Sequence, residues 1–179
     1  VIGGDGTSTN FFNGKIDQVR IFSTVLDSDE VSQLYNEKPE ADTSNFKTVL
    51  YEGTGANQYI SQVGFDLDVD NGGDGGLVWI KSRGAAGSHI LTDSIRGDGK
   101  EIYSDLTNAE GTVNRIALDS NGFTITASNY PNQSGNTFVA WVWRGGGQAS
   151  NIAVNSITGS TPSIASDVSA NTDAGFSIV

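Results

Sequence analysis

The run Asp66-Leu67-Asp68-Val69-Asp70-Asn71-Gly72-Gly73-Asp74-Gly75-Gly76 offers the chain's best set of hard ligands. Carboxylates at alternate positions followed by glycines can fold around a hard cation, with Asp66, Asp68, Asp70 and Asp74 and a backbone carbonyl as oxygen donors. Calcium is the expected ion, because it accepts flexible all-oxygen coordination. Two positions depart from an EF-hand-like loop: the sixth is Asn71 instead of Gly, and the twelfth is Leu77 instead of the bidentate Glu. The plainer alternative is an acidic, glycine-rich hairpin loop that keeps one end of a sheet in water.

Other chemistry is sparser. His89 is the single histidine, with Ser88, Ser94 and Asp93 close in sequence. In a strand, residues four apart share a face but stand far apart, and nothing here marks a nucleophile elbow, so a structural histidine is expected. Arg96-Gly97-Asp98-Gly99 contains an Arg-Gly-Asp tripeptide that reads as a hairpin turn. Glu101 and Glu110 are isolated, and no Glu-x-Asp-x-x-Glu run supplies the carboxylate pair of a glycoside hydrolase. The chain is therefore expected not to be an enzyme. Aromatic rings can stack on the apolar faces of sugars. Trp79, Trp141, Trp143, Tyr59 and Tyr103 are candidates, but Trp141, Trp143 and Trp79 are expected in core packing. Tyr130, in the turn Asn129-Tyr130-Pro131-Asn132, is the aromatic expected to be exposed and to contact a ligand.

The elements that position these residues follow from composition and periodicity. The 179 residues include 23 glycines and 3 prolines, a balance that suits short strands joined by tight turns. A formal net charge of -11 disfavours nucleic acid, whose phosphates need clustered Lys and Arg, and disfavours an anionic membrane surface. With no cysteine, neither disulfides nor thiolate metal sites are available. No apolar run reaches the roughly 20 residues of a membrane-spanning helix, so membrane insertion is not expected. There is no methionine, and the chain is expected to be a window of a longer protein.

Strand signals stand at Phe46 to Tyr51, Gln58 to Phe65, Leu77 to Lys81, Ile90 to Asp93, Ile116 to Asp119, Phe123 to Ala127 and Thr137 to Trp143. Gly, Asn and Asp separate them, as in an antiparallel sandwich. Val139, Trp141 and Trp143 share one face of the last strand, and Phe138, Ala140 and Val142 the other. Both faces are apolar, which predicts a central strand buried twice. Earlier, Val19 and Ile21 fall on one face of a predicted half-buried strand. Asp27 then caps a helix near residues 28–36, with Glu30 completing a capping box and Leu26 and Val31 a hydrophobic staple.

Five segments follow: 1–38, the end of one sandwich; 39–45, a linker; 46–147, a complete sandwich module; 148–171, a Ser/Thr/Ala/Asn-rich linker; and 172–179, the first strand of a further module. The last assignment rests on an echo. Thr172-Asp173-Ala174-Gly175-Phe176-Ser177-Ile178-Val179 restates Asp42-Thr43-Ser44-Asn45-Phe46-Lys47-Thr48-Val49. The expected fold is all-β: tandem antiparallel, jelly-roll-like sandwiches with one short helix.

Two resemblances bear on function. Phe12-Asn13-Gly14-Lys15-Ile16-Asp17-Gln18-Val19-Arg20-Ile21-Phe22, running on to Leu34-Tyr35, resembles the closing strand and last helix of laminin G-like and concanavalin A-like domains. Those domains end on a phrase like F-x-G-x-I-D-x-V-R-I-F. The middle unit is similar to modules of marine bacteriophage virion proteins, especially tail-fibre and structural proteins of phages of cyanobacteria. The shared phrases stand at Phe46 to Gly55, Val63 to Phe65, Leu77 to Arg83, Asp93 to Gly97, Asn108 to Thr112, Asp119 to Thr124 and Phe138 to Gly146. The resemblance implies a structural and adhesive segment of a modular phage virion protein, a tail fibre or appendage on the virion surface that helps attach to host-surface glycans. It also implies other virion subunits as partners in a homo-oligomer, with a trimer expected from fibre logic. The alternatives are a capsid decoration protein that binds no receptor and a secreted bacterial glycan-binding protein.

Overall fold

The computed structural model describes residues 21–36, 44–126, 129–158 and 162–179. The chain divides into two compact units, Val1–Glu40 and Ala41–Val179.

In the first unit, helix α1 spans Ser28–Asn36. The capping box forms as its residues predict. Asp27 Oδ1 accepts from the amides of Asp29 and Glu30 at 2.9 and 2.8 Å, and Glu30 Oε2 accepts from the Asp27 amide at 2.9 Å. Val31 remains half exposed, so the staple is not tight. Val19 lies outside the described residues. Ile21 is 93% exposed and belongs to no strand, contrary to the half-buried strand expected there. A strand needs a neighbour for its backbone groups, and among the described residues none pairs with Ile21.

The second unit is all-β, an antiparallel sandwich. Strands β1 (Phe46–Glu52), β2 (Gln58–Ile60), β3 (Gly76–Ser82), β4 (Ile90–Asp93), β5 (Lys100–Tyr103), β6 (Gly111–Thr112), β7 (Ile116–Asp119), β8 (Gly122–Ile125) and β9 (Thr137–Arg144) form two sheets. One has the order β1-β9-β3-β4-β5-β6 and the other β2-β8-β7. Their inner faces meet in a single core. Val49, Val78, Ile80, Ile90, Phe138 and Val142 come from the larger sheet, and Ile60, Ile116, Phe123 and Ile125 from the smaller. Tyr51 and Phe123 meet edge-to-face across the layers at 6.4 Å. Period-2 alternation selects these residues. On β3 Val78 and Ile80 are buried while Leu77, Trp79 and Lys81 are only half buried.

Strand β9 is interior to the larger sheet, as its two apolar faces predict. Phe138, Ala140 and Val142 are fully buried. The opposite face meets the expectation in part: Val139 is buried, while Trp141 and Trp143 are half buried, on the outside of the sandwich. There they meet Trp79, whose ring lies 5.3 Å from Trp141 and 6.4 Å from Trp143.

Residues 148–171, expected as a connector, carry β10 (Ser150–Ile152) and β11 (Ser166–Asn171). The strand expected within 172–179 is β12 (Phe176–Ile178), and it pairs with β11 in a small sheet of order β10-β11-β12. This sheet is tied back to the sandwich. Phe176 stacks on Trp143 at 6.2 Å, and Asn171 Nδ2 donates to Asn45 Oδ1 at 3.0 Å. The polar composition hid these strands, because their order comes from such contacts rather than from an apolar face. Among the described residues, no helix is long and apolar enough to cross a membrane.

Candidate functional site

Tyr130 sits in the turn between β8 and β9, and the sandwich fixes it firmly. Its ring meets Phe138 edge-on at 5.7 Å, and its hydroxyl accepts from the Ser82 amide at 3.3 Å and donates to the Ser88 carbonyl. The ring also lies against Gly87, where a Cβ would stand 2.3 Å from Cε2. Tyr130 is thus half buried, not the freely exposed ring expected from its turn, because the core aromatic beneath draws it in.

What Tyr130 does is form one wall of a cavity of about 340 Å3, which Tyr103, Leu106, Asn108, Arg115 and Gln133 also line. The arrangement is built from strand periodicity. On β5, Glu101 and Tyr103 are two residues apart and share a face. Arg115, just before β7, reaches both. Its Nη2 lies 2.9 Å from Glu101 Oε2 and donates to the Tyr103 hydroxyl at 2.9 Å, while Nη1 donates to the Tyr130 carbonyl at 3.1 Å. The Tyr103 hydroxyl donates to Glu101 Oε2 at 3.2 Å.

Glu101 is 0% exposed, and among the described residues its Oε1 has no hydrogen-bond partner. Burial pushes its carboxyl above the usual glutamate range, against the opposing pull of the Arg115 guanidinium. Burial likewise raises both phenols, Tyr103 and Tyr130, which keeps them neutral hydrogen-bonding groups. The cavity thus combines two aromatic rings, an apolar side chain at its rim, two amides and a guanidinium held in one orientation. That combination suits recognition of a small polar ligand with an apolar face.

The carboxylates of the acidic loop engage local partners. Asp68 caps a 3-10 turn at Val69–Asn71, its carboxylate accepting from the Asn71 amide at 3.3 Å and from Asn71 Nδ2 at 2.6 Å. Asp66 Oδ1 accepts from the Asp68 amide at 2.9 Å, and Asp74 pairs with Arg144 at 2.9 Å. Asp70 faces a small cavity of about 70 Å3 that Asp68 and Asp98 also line, and Asp98 is raised above the usual aspartate range by burial first. Among the described residues, no three carboxylates or histidines converge as a metal-holding group.

The carboxylates among the remaining candidates have structural partners. Asp93 accepts from the amides of Ile95 and Arg96 at 3.0 and 2.9 Å and pairs with the Arg96 guanidinium, while His89 donates its amide to Asp105 at 2.8 Å. In the Arg-Gly-Asp turn, Asp98 accepts from the Leu118 amide at 2.8 Å. Sequence reasoning set Glu101 aside as an isolated carboxylate and missed its partner Arg115. The one available signal was a charged residue on the same face of a short strand as Tyr103.

One protein family, described as a domain of unknown function (DUF7483), matches residues 41–179. Neither a curated protein nor a solved structure matches.

Proposed function

The chain belongs to the DUF7483 family over residues 41–179; from the resemblance of its middle unit to modules of phage virion proteins, we propose that it is a structural and adhesive segment of such a protein. Its role is that of a tail fibre or appendage on the virion surface, joined to other virion subunits and contributing to attachment to host-surface glycans. The observation that carries the adhesive part is the cavity between Tyr103, Arg115 and Tyr130. Aromatic walls offer surface to the C–H face of a sugar, and the amides of Asn108 and Gln133 suit its hydroxyls. Weak sites of this kind, repeated on an oligomer, give attachment by avidity. The test is binding of the whole chain to a glycan array and to host cells, with calcium and with a chelator. Binding lost in Tyr130→Ala but kept in Tyr59→Ala supports the reading, and binding indifferent to Tyr130 removes it. Loss with chelator would support a calcium site in the Asp66 to Asp74 loop.

A second reading, a capsid decoration protein without a receptor, is favoured by the outer face of the larger sheet. Trp79, Trp141 and Trp143 lie there half buried, with Leu50 more than half exposed on β1. Such a face suits contact with another subunit. Sedimentation of the chain distinguishes the two: assembly abolished by Trp141→Ser together with a silent glycan array would favour decoration.

A further inference from the structure

The guanidinium in the Tyr130 cavity already has its counter-charge. Glu101 stands 2.9 Å from Arg115 Nη2 and is 0% exposed, so an incoming carboxylate would have to share Arg115 with a buried anion. The donor count points the same way. Arginine has five N–H groups; two on Nη2 go to Glu101 and Tyr103, one on Nη1 goes to the Tyr130 carbonyl, and Nε is shielded without an acceptor. One Nη1 hydrogen is left, enough for a single acceptor and too few for the two-pronged grip that carboxylates favour. Gln133 uses its Oε1 to accept from Asn136 Nδ2 at 2.8 Å, which leaves its amide nitrogen as a donor. Around these groups stand the rings of Tyr103 and Tyr130 and the side chain of Leu106. The chain's net charge of -11 adds long-range repulsion of anions.

We infer that this pocket takes a neutral, hydroxyl-bearing saccharide residue and discriminates against carboxylated sugars. The inference rests on the glycan-binding reading above and specifies its ligand. The apolar rings and Leu106 take the C–H face of the sugar. Arg115, Asn108 and Gln133 take ring hydroxyls. Glu101 is a positioning residue: it fixes the guanidinium plane and cancels its charge.

The experiment screens the whole chain on an array carrying neutral, sialylated and uronic-acid glycans, then titrates the glycans bound. Leu106→Asp and Asn108→Ala are the variants of choice because both side chains are exposed, so the fold survives; thermal unfolding checks that it does. The expected result is binding of neutral glycans, weakened about tenfold or more by Leu106→Asp and several-fold by Asn108→Ala. Glu101→Gln should shift preference toward carboxylated glycans by uncovering the Arg115 charge. Pocket-dependent binding restricted to carboxylated glycans would overturn the neutral assignment while leaving the pocket standing. Binding that ignores both rim variants, or no binding at all, would overturn the pocket reading itself.

Discussion

Glu101, with no exposed surface, holds the Arg115 guanidinium at 2.9 Å and thereby joins the inward face of β5 to the wall of the Tyr130 cavity. Removing one partner of a buried pair leaves the other uncompensated, a loss of about 3 kcal/mol or more. Glu101→Ala, which removes the whole partner group, should therefore lower the unfolding free energy by roughly that amount at neutral pH. The pH dependence has a definite sign. The folded carboxyl is raised above its unfolded value, so between those two values the native state binds more protons. The contribution is fully present below the unfolded value and is lost as pH rises through the folded one. The stability gap between wild type and Glu101→Ala should widen on acidification. Denaturant titrations of both proteins from about pH 8 to about pH 4 measure it, and a narrowing gap would show that attraction to Arg115 outweighs burial.

Gly122 tests the contact between β2 and β8. Its φ is +152°, and a Cβ placed there would stand 1.9 Å from the Ile60 carbonyl oxygen. Backbone cannot yield as a side-chain end can. Gly122→Ala should cost more than about 3 kcal/mol, from strained dihedrals plus displacement of the strand. Loss of amide protection at Ile60 and Phe123 ahead of the β3 and β9 amides would locate the damage in the smaller sheet.

How much of this was legible in the sequence depends on what orders each element. Strands β4 and β7 lie at the bounds their residue patterns predict, Ile90–Asp93 and Ile116–Asp119. Their alternation is strong and turn residues close both ends. The capping box at Asp27 and Glu30 is equally local, and it forms. By contrast, β11 reads Ser-Asp-Val-Ser-Ala-Asn and is held by pairing on both sides and by Ser169 Oγ, which accepts from the Gly146 amide at 2.8 Å. Nothing within those six residues announces that partner. The Tyr130 site divides the same way. Tyr130 stood out as an aromatic in a turn, whereas Glu101 and Arg115 come together only when β5 and the approach to β7 pack side by side. In the acidic loop the alternating carboxylates were legible, whereas the short turn at Val69–Asn71 that Asp68 caps was not.

Phe176 anchors the small sheet to the sandwich through its stack on Trp143. An aromatic pair contributes about 0.5–1.5 kcal/mol beyond its buried area. Phe176→Ala should therefore loosen β10, β11 and β12 while leaving the core sandwich folded. Hydrogen exchange should accelerate at Ala170 and Ile178 with little change at Val78 or Val142. Uniform acceleration across both regions would mean that the small sheet and the sandwich unfold as one cooperative body.

Asp27 caps α1 through two amides, and Glu30 returns a bond to the Asp27 amide. Helices of nine residues are marginal in water, so the cap weighs heavily in the local balance. Asp27→Ala removes both accepted bonds and a negative charge at the helix N-terminus, a loss of about 1 kcal/mol. Asp27→Asn keeps the acceptor and should retain most of the stability. The amide resonances of Asp29 and Glu30 should move toward random-coil shifts in Asp27→Ala and stay near wild type in Asp27→Asn. Equal shifts in both variants would assign the effect to charge at the helix start instead of to the side-chain acceptor.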